Sequence, residues 1–320
     1  MEFNKTQAMF ILVMSDMMYG LVGLFSRYLD KIGFSSIDIT FTRLGITFIT
    51  IFIIVLIFKR QLLKVDLRAI LFFLSFGAFK LMADIAFFFA IDNLPMALAS
   101  ILQMMFPFYI IVISLLIFKE KVDRRKIIAM LVAFAGCTMI TGGMFGTGDI
   151  TSMGIVSALI SGLFVAIYIM GGTFSYQRGY DPLAYVMFCS LIADLIALPF
   201  INHEVIFNAF TDFDVVPYLF GLGIIASLIP MFLDAWSAKY LPPTVISIIA
   251  LFEVVSSAVI GALVFDETLD LLDFIGIAFV MLSIVVINLK IDINARRYLK
   301  EHPEKLEELK EKFRFKKESP

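Results

Sequence analysis

Long apolar runs separated by short polar turns organise the chain. They fall at 7–27, 37–58, 69–90, 96–118, 126–142, 151–173, 183–200, 215–237, 243–265 and 271–289. Each matches the length at which a helix crosses the hydrocarbon core of a bilayer, about 20 residues. Ten spans are therefore predicted. The loops between them are mostly short; the one at 201–214 is long and holds no Lys or Arg.

Basic residues close to span ends set orientation. With the N-terminus in the cytoplasm, Lys5 lies inside, as do Lys59, Arg60, Lys64 and Arg68. So do Lys119, Lys121, Arg124, Arg125 and Lys126, then Arg178, Lys239 and the tail from Lys290. The outside receives only Arg27 and Lys31, while Arg43 and Lys80 fall within spans. Both termini are predicted to be cytoplasmic. The N-terminus, MEFNKTQ followed by an apolar run, has no small-residue cleavage site after it and is expected to be an uncleaved first span.

Composition agrees with lipid as the solvent. Of 320 residues 60% are hydrophobic and 17% charged, and mean hydropathy is +0.94. A soluble domain is about 45–50% apolar and about 25% charged. A net charge of −2 offers nothing to nucleic acid. Cys137 and Cys189 lie inside apolar runs and are too few for a disulfide framework or a zinc site. His203 and His302 have no metal partners at useful spacing, so no cofactor or metal is expected. The stretch 291–320 mixes Lys and Arg with Glu and Asp. It is expected to be a solvated charged tail, although Leu306, Leu309 and Phe313 sit at helical spacing, as in an amphipathic helix near the membrane.

A shift of 147 residues brings two stretches into register. Leu94-Pro95 falls on Leu241-Pro242, Ser100-Ile101 on Ser247-Ile248, Phe118-Lys119-Glu120 on Phe265-Asp266-Glu267, and Asp123 on Asp270. The shift equals five spans, and an odd number of spans turns a repeat over in the membrane. The basic connection 119–126 then lies inside and its acidic copy 266–270 outside, each obeying the charge rule for its own side. The expectation is a 5+5 inverted repeat, 1–143 and 150–290, followed by the tail 291–320. Such repeats are common in secondary transporters, where a site between the halves opens to either side in turn.

These features resemble the drug/metabolite transporter superfamily in its EamA-type branch. Asn93-Leu94-Pro95 leading to Ser100 and Pro107, then Ile117-Phe118-Lys119-Glu120, is similar to the family's fourth span and its exit. Phe252-Glu253 is similar to the start of its Glu-Pro pair in span nine, with Val254 in place of the Pro. Phe265-Asp266-Glu267 followed by Gly276, Tyr19-Gly20 and Arg43 occupy further family positions. The resemblance implies ten helices around a central cavity and alternating access. It implies no particular substrate, since the superfamily handles amino acids, nucleotide precursors, sugars and drugs.

Seven ionisable residues lie deep in the spans: Asp16, Arg43, Lys80, Asp84, Asp194, Asp234 and Glu253. A charge at mid-helix costs roughly 2.5–3.5 kcal/mol, so these groups are expected to pair or to face water in a cavity. Five acids against two bases leave three acids over. Lys80 and Asp84, at i and i+4, share a face and either neutralise each other or point together at substrate. Arg43 is expected to snorkel to the headgroups or to pair with Asp38. Glu253 has no basic neighbour within two turns, and its counterpart in the first repeat is Phe106. It is expected to take up and release a proton as access alternates; the bland reading is a hydrogen bond to a neighbouring helix. Asp16 would bind a cationic group or share a proton with Glu253. Asp194 lies mid-span, and Asp234 is expected at the inner interface. Gln103, four residues before Pro107, is placed to orient a substrate, and Tyr19, Tyr168 and Trp236 carry polar handles that suit a cavity wall. Gly221, Gly223 and Pro230 mark span eight as bendable.

The candidate substrate or coupling residues are therefore Glu253, Asp16, Tyr19, Lys80, Asp84, Gln103, Tyr168, Asp194 and Trp236. The expected protein is an all-α, multi-pass plasma-membrane transporter of a small organic metabolite or drug-like solute. Its partners would be that solute, the lipid bilayer and protons; export is the commoner direction in the resembling branch. No HExxH or intramembrane His points to an enzyme, and no P-loop points to direct ATP drive. The rival reading is a non-transporting scaffold or sensor that kept the fold.

Overall fold

A computed structural model describes residues 4–94, 96–118, 123–142, 151–265 and 269–301. All its regular elements are helical, with no strand among the described residues. In chain order they are α1 (Lys5–Lys31), α2 (Ser36–Phe58), α3 (Leu67–Ile91), α4 (Leu98–Ile117), α5 (Arg124–Gly142), α6 (Ser152–Gln177), α7 (Pro182–Phe200), α8 (His203–Thr211), α9 (Val216–Ser237), α10 (Pro243–Val264) and α11 (Leu271–Glu301). Eight of them, α1 to α4, α6, α7, α9 and α10, are long and apolar enough to cross a membrane. The apolar part of α11, Leu271–Val286, is shorter, and α5 opens on Arg124, Arg125 and Lys126.

Helix starts are written locally in the sequence. Asn4 and Gln7 close a capping box on α1, and Ser35 and Asp38 close one on α2. Asp66, Thr151, Asp181 and Asn202 each accept a backbone N–H at the first turn of α3, α6, α7 and α8.

Three expectations change. α1 continues beyond 27 to Lys31, which brings Arg27 into the helix with its guanidinium over the Phe265 ring at 4.7 Å. The supposed loop 201–214 contains α8, whose Ile206 and Ala209 are buried against Leu29, Phe34, Leu219 and Leu222. Phe207 and Phe210 point outward from α8 instead. α11 runs past 289 into the charged segment as one helix to Glu301. The tail positions Leu306, Leu309 and Phe313 lie outside the described residues, as do Pro95, Lys119, Glu120, Asp266 and Glu267.

Two helices are broken at equivalent places. α4 is interrupted at Met104-Met105 and α10 at Leu251, positions related by the shift of 147. α9 widens into a π-type stretch over Gly221–Leu228 just before Pro230. The Thr47 hydroxyl donates to the Gly223 carbonyl at 3.0 Å, satisfying an acceptor in that irregular stretch.

The packing exchanges elements between the halves. α1 lies against α9 and α10, and α6 lies against α3 and α4. α2 packs on α7 and on the π-type stretch of α9. α5 and α11 pair with each other, meeting where Gly136 faces Gly276; a Cβ on either glycine would collide with the other's carbonyl oxygen. Small residues let helix backbones approach in this way. The buried face of α5, Ala129, Ala133 and Cys137, joins a core that includes Leu12, Ile110, Ile248 and Val280. A second core gathers Leu44, Phe73, Tyr185, Met187 and Met231.

Candidate functional site

Ionisable residues of five helices converge inside the bundle, on two facing walls. One wall is built from α2 and α3. Lys80 Nζ donates to Asp84 Oδ1 at 2.8 Å and to Oδ2 at 2.6 Å. Arg43 Nη2 approaches Asp84 Oδ2 at 3.6 Å. The side chains of Arg43, Lys80 and Asp84 are 16, 12 and 16% exposed. Arg43 Nε is buried with no hydrogen-bond partner.

The opposite wall comes from α1, α9 and α10. Asp16 is 1% exposed and neither of its carboxylate oxygens has a partner. The Ser15 hydroxyl reaches Asp234 Oδ1 at 3.2 Å and the Pro230 carbonyl at 3.3 Å. The Tyr19 hydroxyl lies within reach of Asp234. Asp16 lies within electrostatic reach of Asp234 and Glu253. Glu253 occupies the first turn after the break in α10, a place where backbone N–H groups without intrahelical partners favour a carboxylate.

Close contact between α1 and α10 sets the level of this wall. Gly20 sits on Ser256, where any Cβ would collide with the serine side chain, and the Ser256 hydroxyl donates to the Met17 carbonyl at 2.7 Å. Asp16 and Tyr19 are thereby held beside Glu253. From the opposite wall, Glu253 is within electrostatic reach of both Arg43 and Lys80. Tyr19 lies within reach of Asp234, Tyr168, Arg43 and Glu253. Tyr168 is in turn within reach of Asp234, Arg43 and Asp84. Tyr168 is held from behind by Tyr185, whose hydroxyl donates to its carbonyl at 2.6 Å and whose ring stacks on it at 5.6 Å.

The structure therefore brings together six of the nine residues singled out from sequence: Asp16, Tyr19, Lys80, Asp84, Tyr168 and Glu253. Gln103 is employed elsewhere. Its amide donates to Ser161 at 2.7 Å, and Ser161 donates to the Ala83 carbonyl at 2.8 Å, tying α4, α6 and α3. Asp194 stands apart on α7, facing Gly45 of α2, 8% exposed and with Oδ1 unpartnered. Trp236 lies two residues beyond Asp234, with its ring against Tyr240 at 4.8 Å.

Three expectations are corrected. Asp234, expected near the inner end of its span, does not stand alone there; it lies beside Asp16, with the Ser15 hydroxyl on its Oδ1. Arg43 pairs with Asp84 and not with Asp38, which instead accepts from the Ser35 hydroxyl at 2.6 Å and from the Asn202 N–H at 2.7 Å. Glu253 has no base within two turns of its own helix, yet Arg43 of α2 and Lys80 of α3 lie within its electrostatic reach. Arg43, Asp234 and Ser15 belong with the cluster but were left out of the candidate set. The only available signal was their polarity inside apolar runs. Two surface grooves lie outside the cluster. One of about 690 Å³ runs between Phe41, Leu198 and Phe210; another of about 560 Å³ runs between Met82, Phe89 and Val156. Their linings are mostly apolar, with His203 and Glu204 on the first and Ser152 and Ser157 on the second, and offer none of the paired charges of the interior.

A two-repeat, all-helical architecture with charges gathered inside defines a class: multi-pass membrane transport proteins. The EamA-like transporter family model matches this chain twice, over residues 6–142 and 152–289, and the chain belongs to that family. An uncharacterized transporter of Archaeoglobus fulgidus is 24% identical over 86% of this chain and 94% of its own length. A pseudopaline exporter of Pseudomonas aeruginosa is 24% identical over 64% of this chain and 70% of its own. One solved crystal structure superposes with a TM-score of 0.75, covering 92% of this chain and 99% of that one at 16% identity, which establishes the likeness of fold. The protein is thus an integral membrane protein of transmembrane transport.

Proposed function

We propose that the chain is a secondary transporter that moves a small organic solute past the central charged cluster by alternating access. The observation that carries this reading is the cluster itself. Arg43, Lys80, Asp84 and Asp16 come from the first repeat, and Asp234 and Glu253 from the second, so the site is completed only where the halves meet. Burying that many charges in a bundle is costly unless they pair or meet a ligand. A static scaffold gains nothing from acids without partners.

The architecture we infer is ten spans in a 5+5 inverted repeat, 1–143 and 150–290, with both termini and the tail 291–320 in the cytoplasm of a plasma-membrane protein. The pairing of α5 with α11 supports counting both as spans, because each offers the other a glycine-lined face. Outward transport and proton coupling complete the reading. One relative is named as an exporter, and the acids of the second wall outnumber the cations opposite them. Glu253 is the coupling group, with Asp16 and Asp234 sharing its proton.

Proton flux tests this directly. The chain is reconstituted in liposomes with a trapped pH dye, and pools of amino acids, nucleobases, sugars, polyamines and cationic drugs are added under an imposed gradient. A solute-dependent proton movement that disappears in Glu253→Gln is expected. Exchange of labelled solute without proton movement would remove the coupling. Silence in both assays would overturn the transport reading in favour of a scaffold or sensor.

A further inference from the structure

We infer that α8 lies flat in the outer surface of the bilayer and that the groove beside it seats an acyl chain of a lipid whose headgroup carries an ammonium. This site is separate from the charged cluster and needs no transport to be real. α8 presents three faces at helical spacing. Ile206 and Ala209 are buried against Leu29, Phe34, Leu219 and Leu222, which fixes one face on the bundle. His203, Phe207 and Phe210, at i, i+4 and i+7, share a second face and are exposed. Glu204, Asn208 and Thr211 form a third, exposed and polar. A helix lying at the rim of a membrane protein needs these three sides, one for protein, one for lipid and one for water. Its level is also fixed. The Asn202 N–H donates to Asp38 Oδ1 at 2.7 Å, and Asp38 stands in the first turn of α2. Lys59, just beyond the far end of α2, pairs with Asp181 at the start of α7. α8 therefore lies at the end of the bundle away from Lys59, the outer side in the orientation inferred above.

The groove of about 690 Å³ joins the aromatic face of α8 to the bundle. Phe41 of α2, Leu198 at the end of α7, and Phe207 and Phe210 of α8 line it. Its polar residues, His203 and Glu204, both belong to the first turn of α8. The apolar surface continues past both ends of the helix, since Phe200 before it is 66% exposed and Phe213 after it 91%. Such a surface is out of place in water and at home at the boundary of headgroups and acyl chains. Charge selects the headgroup. The segment 201–214 holds Glu204, Asp212 and Asp214 and no Lys or Arg, and Asp30 and Lys31 at the end of α1 add one charge of each sign. Anionic lipids are drawn by basic residues, and here they would meet net negative charge. The ammonium of phosphatidylethanolamine instead offers N–H donors to carboxylates. A second copy of the chain, docked through the same face, would set one acidic rim against another.

The test is fluorescence quenching in proteoliposomes of the full chain, with the signal of Trp236 in the parent subtracted. Phe207→Trp and Asn208→Trp are made separately; both positions are exposed, so neither strains the fold. Lipids brominated along the acyl chain should quench Phe207→Trp and spare Asn208→Trp, and aqueous iodide should do the reverse. Iodide that quenches both alike would overturn the interfacial helix. Protection of Phe207→Trp from both quenchers, with cross-linked dimers, would replace the lipid by a second copy. Bromine is then placed on phosphatidylethanolamine alone or on phosphatidylglycerol alone, at equal mole fraction. The first should occupy the site more, by up to about fivefold, the worth of an exposed ion pair, and Glu204→Gln should lower the ratio. Equal quenching, or more from phosphatidylglycerol, would overturn the ammonium headgroup. The groove is tested in detergent on the delipidated chain, where phosphatidylethanolamine should raise the melting temperature. Leu198→Trp, which fills the groove, should abolish that rise. The rise is read within each protein, so a change in baseline stability does not mask it. A rise that survives Leu198→Trp would overturn the groove as the seat of the chain.

Discussion

α1 and α6 open the two repeats and make equivalent crossings, each against the third and fourth spans of the other half. Their chemistry is opposite. At the shift of 147, Ser15 answers to Gly162, Asp16 to Leu163 and Tyr19 to Ala166. On α6 the crossing is tight and uncharged. A Cβ on Gly162 would lie 2.6 Å from the Gln103 carbonyl oxygen, and Gly171 is pressed against the Phe76 and Tyr185 side chains. On α1 the same place carries Asp16 with two unpartnered oxygens, facing Asp234 and Glu253. The charges follow the same division. Arg43, Lys80 and Asp84 correspond to Ser190, Ser227 and Met231, and Glu253 corresponds to Phe106. Pseudo-symmetry gives the bundle two equivalent crossings. Both hold a close glycine contact, Gly162 on Gln103 and Gly20 on Ser256, but only the α1 crossing also holds ionisable groups.

The largest effect should come from exchanging these roles at the broken helices. Glu253→Gln is expected to bring solute-driven proton movement to the background of empty vesicles, while Phe106→Leu at the equivalent break keeps most of it. Equal losses from the two substitutions would mean that the halves share the chemistry and that the asymmetry is incidental.

Next in size is the ion pair of the first wall. Lys80→Met leaves Asp84 buried with only Arg43 at 3.6 Å to answer it. Removing one partner of a buried pair costs about 3–5 kcal/mol, and Arg43 should hold the loss near the lower end. The double variant Lys80→Met with Asp84→Leu should recover much of it, because neither charge is then buried alone. Unfolding of the three proteins in mixed micelles would measure this, and a double variant less stable than Lys80→Met would count against pairing.

The crossings themselves give a smaller contrast. Gly162→Ala must push the Gln103 backbone aside, and overpacking of this kind costs about 1–3 kcal/mol. Gly23→Ala on α1 meets no atom within 4 Å, so it should cost nothing and gain roughly 0.5–1 kcal/mol from helix propensity. The same unfolding assay reads both. A matching loss at Gly23 would show that this exposed face of α1 is covered as closely as the α6 crossing.

How much of this could be read from sequence divides along the same line. Apolar runs, the repeat and the Lys80–Asp84 spacing are local or periodic, and they name the helices and one ion pair directly. The level of Asp234 is not local. Counted from the end of its run it lies at the membrane edge, but the π-type stretch, Pro230 and the contact with Ser15 carry it to Asp16. The partner of Arg43 depends on how α2 meets α3, and that of Gln103 on a glycine crossing that no spacing rule encodes. α8 is not legible in the sequence, because nine residues of mixed polarity between two spans read as a loop.

The smallest effect is expected at the ends of α2 and α7, the second helices of the two repeats. Lys59 Nζ meets Asp181 Oδ2 at 3.0 Å, with side-chain exposures of 45 and 25%. A pair this open to water is worth about 0–1 kcal/mol and is weakened further by salt. Lys59→Ala should therefore leave unfolding almost unchanged. Asp181 has a second task, since its other oxygen accepts the Leu183 N–H at 2.9 Å and caps α7. Asp181→Ala should accordingly cost more than Lys59→Ala, by the roughly 1 kcal/mol of a helix cap. The excess should persist at high salt, where the ion pair has faded. Equal costs at low and high salt would reduce Asp181 to a charge partner and leave α7 to start without its cap.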